Sequence, residues 1–185
     1  MGYRVHLLAG GAVGVAAALT LRALGLNSGG PCPALVVAFA LLGSLLPDLD
    51  VTSSKVSRLS GALAAGFAAW ALISEGPWRY FAIWWIGVVA VGSLIGPLGR
   101  HRSAFHWVVP ILAILPLLFS HWALEGEISG PLDLSVLHLL LTSPLEEFRS
   151  IWASSWPGGP LAGEFCATVG AVLGALSHIS VDLYF

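Results

Sequence analysis

Charge is scarce in this 185-residue chain: 8 Lys+Arg and 10 Asp+Glu make up 10% of the residues, against about 25% in a soluble globular domain. With 57% apolar residues and a mean hydropathy of +0.86, a water-soluble single domain is excluded. The few cations are scattered and form no basic stripe, so nucleic acid is not an expected partner. Cysteine is scarce too. Cys32 and Cys166 stand alone, with no CxxC or Cys/His ligand spacing, which excludes a cysteine-built zinc site. They read first as two unpaired, buried small hydrophobes; a disulfide enters only if their end of the protein is extracytoplasmic. Missing as well are the G-x-S-x-G, H-E-x-x-H and P-loop spacings, which removes support for serine hydrolase, zincin and nucleotide triphosphatase chemistry. No polar mature sequence follows the first apolar run, so that run does not read as a cleaved signal.

What the sequence has in abundance is apolar runs. A membrane crossing needs about 20 apolar residues, and six candidate spans follow: Val5 to Leu24, Ala34 to Leu46, Leu59 to Ser74, Tyr80 to Leu98, Phe105 to Leu124 and Leu161 to Val181, the second and third short. Leu132 to Leu141, with Trp152 and Trp156 after it, reads as an interfacial or re-entrant stretch inside the longest non-spanning segment, Glu125 to Pro160. Turn residues at Asn27–Pro31, Glu75–Pro77 and Pro157–Pro160 separate the runs. The expected architecture is one all-α transmembrane bundle over residues 1–185, with no second domain. Gly10 with Gly14, and Gly170 with Gly174, permit close helix contact; glycine is also simply common in such helices.

Six crossings that begin on a side A return the C-terminus to A. Side A then carries Arg4, Lys55, Arg58, Arg100 and Arg102, and side B carries Arg22, Arg79 and Arg149. The excess favours a cytoplasmic A side, with both termini there. Ionisable residues in or beside spans are costly and mark sites, and here they form four clusters, all assigned to side A. His6 heads the first span. Asp48 and Asp50 follow the helix-breaking Pro47, where two carboxylates on non-helical backbone can share a divalent cation; the plainer reading is a solvated turn with one Asp as a cap. Arg100-His101-Arg102-Ser103-Ala104-Phe105-His106 opens the fifth span and offers two imidazoles beside guanidinium groups suited to phosphate. Ser177-His178-Ile179-Ser180-Val181-Asp182 closes the last, with His178 and Asp182 on one helical face. His121 and His138 fall on side B.

Four His and three Asp exceed the needs of one tetrahedral zinc and suit two ions, with Zn, Mn and Fe all compatible with mixed imidazole and carboxylate ligation. A metal or proton transporter would use the same residue types but carry them near mid-span, and these spans are almost free of polar groups there. A non-catalytic, metal-stabilised membrane scaffold is the third alternative.

His6, the Leu46-Pro47-Asp48-Leu49-Asp50 stretch, His101-Arg102 followed by His106, and Ser177-His178 with Asp182 resemble, in order and spacing over nearly the whole chain, the signature of the YdjM-like family of predicted membrane-bound metal-dependent hydrolases. That family's proposed kinship with zinc-dependent phospholipase C implies an all-helical site and phosphoester hydrolysis. The resulting expectation is a hydrolase of the inner membrane whose metal ligands are His6, Asp48, Asp50, His101, His106, His178 and Asp182. Asp48, Asp50 and Asp182 would be catalytic, and Arg100, Arg102 and Lys55 would bind substrate phosphate. The expected partners are membrane lipid and a phosphate-bearing substrate, small or lipid-borne.

Overall fold

The computed structural model describes residues 3–25, 31–50, 55–95, 104–126, 144–155 and 159–184, less the side chains of residues 50, 55–58, 95, 104–106, 144, 147 and 148. Among the described residues every regular element is a helix. Helix α1 (Tyr3–Ala23) ends where Gly25 turns left-handed at φ 70°. Helix α2 (Cys32–Gly43) starts with Pro33 in its first turn, where a missing N–H costs nothing, and gives way to a 3₁₀ turn at Leu46–Asp50. Pro47 explains the change, since it cannot donate back along the helix. Helices α3 (Lys55–Ile73) and α4 (Pro77–Ile95) follow, joined at Gly76 with φ 56°.

Helices α5 (Ala104–Leu112) and α6 (Leu115–Glu125) together make one interrupted rod. Pro116 has no N–H to offer the carbonyl of Leu112, so the ladder breaks and the chain passes through a turn at Ala113 and Ile114 before Leu117 N–H resumes bonding to Ile114 O at 3.0 Å. Helix α7 (Pro144–Ser155) is amphipathic, with Glu146 and Arg149 exposed and Trp152 set edge-on to Phe165. Helix α8 (Ala162–Tyr184) is the longest and carries the most buried face.

Among the described residues four stretches are long and apolar enough to cross a bilayer: Tyr3–Ala23, Cys32–Leu49, Trp107–Glu125 and Ala162–Tyr184. Four of the six expected spans meet this measure of length and composition. The apolar stretch in α3, Leu59–Ile73, is shorter, and α4 opens on Trp78, Arg79 and Tyr80 before its apolar part begins. Both still pack into the bundle. Phe67 of α3 stacks on Trp85 of α4 at 5.6 Å, and both meet Phe39 of α2. These rings, with Phe81, Leu46, Leu49, Val109 and the alanines 167, 171 and 175 of α8, form the main core.

Helices α2 and α8 run parallel and in close contact along a glycine seam. A methyl group at Gly170 would meet the carbonyl of Val36, one at Gly174 the carbonyl of Ala40, and one at Gly43 the backbone of Ala171. Helix α1 runs antiparallel to α2, with Gly10 against Ser44 and Gly14 against Ala40. In lipid, where apolar surface supplies no drive to associate, such backbone proximity maximises dispersion contacts. The two glycine pairs thus serve packing. Cys32, the first residue of α2, and Cys166, the fifth of α8, are joined by a disulfide. This overturns the expectation of two unpaired cysteines. Two parallel helices in tight register bring their N-terminal ends side by side, a relation that helix pairing alone determines.

Candidate metal centre

The far ends of α2 and α8 and the first turns of α1 meet at one end of the bundle. His6 and His178 are both buried, and their rings stack with centroids 3.8 Å apart and planes 17° from parallel. Asp182, one turn beyond His178, spans the pair: Oδ1 stands 3.5 Å from His6 Nε2 and Oδ2 3.5 Å from His178 Nε2. From the 3₁₀ turn, Asp48 Oδ1 comes within 3.6 Å of His178 Nε2. The His178 ring is oriented by the backbone, its Nδ1–H donating to the carbonyl of Ser44 at 2.7 Å. That bond fixes the tautomer, so Nε2 presents its lone pair to the two carboxylates.

Each local feature has a sequence cause. His6 and Gly10 are four apart on one face of α1, so the glycine that lets α1 approach Ser44 also carries His6 to His178. The Ser44 carbonyl lies where α2 ends, beyond the reach of a full helical ladder. Pro47 turns the chain so that Asp48 points back across the helix end.

His6, His178 and Asp182 each offer one atom, all within 4.8 Å of one another. Two donors of a tetrahedral ion with bonds of 2.0–2.2 Å stand about 3.3–3.6 Å apart. Each imidazole stands 3.5 Å from one oxygen of Asp182, within that range; one donor atom from each of the three residues lies within 4.8 Å of the others, so a bound ion would draw them slightly together, and three protein donors leave an open position of the kind catalytic sites keep. Electrostatics agrees. Lone pairs of imidazole and carboxylate facing one another in a buried site are unfavourable until a cation, metal or proton, lies between them.

Of the seven expected ligands, the structure brings together His6, His178 and Asp182 and sets Asp48 beside them. Asp50 closes the 3₁₀ turn, Lys55 opens α3 and His106 lies in α5, but their side chains are outside the described residues. Arg100, His101, Arg102 and His138 are wholly outside them. The described ligands thus suffice for one ion, and the expectation of two concerns residues beyond them. His121 is buried at the opposite end, with Nδ1 3.1 Å from Ser154 Oγ. Sequence reasoning missed the Ser44 carbonyl, since a backbone group has no sequence signature.

No curated protein and no solved structure matched this chain. The sequence profile of the YdjM inner membrane protein family matches residues 1–184. Together with the four apolar helices, that match makes the chain an integral membrane protein belonging to the YdjM inner membrane protein family.

Proposed function

We propose that the protein is a membrane-embedded, metal-dependent hydrolase of phosphoesters, with His6, His178 and Asp182 as ligands of a divalent ion and a lipid-borne phosphate as substrate. The observation that supports it most is the meeting of two buried imidazoles and a partly buried carboxylate from two helices, with donor atoms within 4.8 Å of one another. When bound, a Zn, Mn or Fe ion supplies Lewis acidity, lowering the pKa of water and offsetting charge on a phosphoryl oxygen.

The chain's own residues do the remainder. The Ser44 carbonyl holds His178 in one tautomer. Asp48, partly exposed beside His178, is the general base. Its carboxylate takes a proton from the attacking water, the water oxygen bonds phosphorus, and the ester P–O bond breaks with its electron pair leaving on the departing oxygen. Arg100, Arg102 and Lys55 draw the phosphate in, and Asp50, His101 and His106 extend the ligand set toward a second ion. A site at the end of a membrane bundle meets substrate where headgroups lie. The Cys32–Cys166 disulfide closes the opposite end of α2 and α8. Disulfides persist in oxidising compartments, which supports the cytoplasmic placement of the site and of both termini that the Lys and Arg count favours.

Elemental analysis of detergent-purified protein tests the reading. About one equivalent of a transition metal is expected, lost in His178→Ala and Asp182→Asn, together with hydrolysis of at least one member of a lipid-phosphate panel. Metal-free wild-type protein, or full turnover by Asp48→Asn, overturns it. Transport is the poorer reading, because the layer between the two ends of α8 is packed with Ala171, Ala175, Phe39 and Trp85.

A further inference from the structure

Independently of the hydrolase reading, we propose a second site at the opposite end of α8 that takes a small alkali cation, with Glu164 as its charged ligand and Thr168 as a neutral one. Glu164, in the first turn of α8, is 1% exposed, and apart from its own backbone N–H its carboxylate oxygens have no hydrogen-bond partner. Thr168, 5% exposed and one turn along the same face, also has its hydroxyl unpartnered. So has Ser155 at the end of α7, 3% exposed. The contact of Leu161 N–H with Ser154 O at 3.0 Å brings that end of α7 to the start of α8.

These hydroxyls are unlike others in the bundle. Thr20, Ser44, Ser93, Ser120, Ser177 and Ser180 each donate to a carbonyl of their own preceding turn, the ordinary resolution for a hydroxyl in an apolar helix. Buried Thr168 and Ser155 forgo that bond. A buried carboxylate in a bilayer carries a cost of several kcal/mol unless paired, and the nearest described imidazole, His121, is engaged with Ser154 Oγ. Glu164, Thr168 and Ser155 all offer oxygen, a hard donor set. A single carboxylate is neutralised by one positive charge, which selects a monovalent ion over a divalent one.

Thermal unfolding of the full-length, disulfide-intact protein, treated with EDTA and held at constant ionic strength while choline is replaced by Li⁺, Na⁺ or K⁺, decides the matter. At least one of the three is expected to raise the midpoint saturably by about 3 °C. The shift should vanish in Glu164→Gln and in Thr168→Val and persist in His178→Ala. If Glu164→Gln does not fold, Thr168→Val, nearly equal in volume, carries the test alone. Equal midpoints in choline and all three alkali ions mean that Glu164 is held as the neutral acid, and overturn the proposal. A shift retained in the foldable variants overturns it as well.

Discussion

The two ends of the parallel α2–α8 pair are held in opposite ways. At the end bearing Cys32 and Cys166 the helices are tied covalently, whereas at the other end they are joined by one imidazole donating to a backbone carbonyl, with two carboxylates and a second imidazole crowded against it. Between them the glycine seam leaves no room for a methyl group on either helix. The contrast shows a division of labour. Facing lone pairs push a site apart when no cation is present, so they persist only where the surrounding backbone already sets their positions. The disulfide and the glycine seam do that from one side, and Gly10 against Ser44 does it from the other.

The comparison can be broken at either end, and the largest effect is expected at the metal centre. Asp48→Asn should lower phosphoester turnover by about 10²–10⁴-fold while bound metal, measured on the same sample, stays at the wild-type level. Removing the covalent tie with Cys32→Ser/Cys166→Ser should lower stability in detergent by about 2–4 kcal/mol and leave metal stoichiometry alone; loss of the metal would show that the two ends are not separable. A matched glycine pair sharpens the point. A methyl at Gly10 would sit 2.5 Å from Ser44 Cβ and one at Gly163 2.5 Å from the Trp78 ring, yet only Gly10→Ala displaces the carbonyl that orients His178. Metal affinity should fall about 10–100-fold in Gly10→Ala and stay unchanged in Gly163→Ala, as read by competition with a chelating dye. Smallest of all, Gly66→Ala on the exposed face of α3, where nothing lies within 4 Å, should raise stability by about 0.5 kcal/mol without touching the metal.

Much of the metal centre is legible in the sequence because low charge isolates its residues. The i, i+4 spacing of His178 and Asp182 and the alternation of apolar runs together imply that His6, Asp48 and the last helix end on one side, and the structure places them so. The disulfide was not legible, since Cys32 and Cys166 become neighbours only through the parallel pairing of α2 with α8, a property of packing and not of either run. Helices α3 and α4 read as apolar in the sequence, but the apolar stretch of one is short and the other begins with an Arg between aromatics, so neither meets the length and composition of a crossing among the described residues. Glu164 was hidden for a different reason. A single carboxyl near the start of a long apolar run looks like an interfacial residue until burial shows that the bundle encloses it.

The Cys32–Cys166 bond joins residues 134 apart in sequence. Its sulfurs meet only when the final helix has entered the bilayer in the same direction as α2 and settled beside it. A chain whose last helix stays out, or enters reversed, keeps both thiols. The oxidation state of each molecule is therefore a record of completed insertion, and a non-reducing gel of newly made protein would display the fraction that has finished.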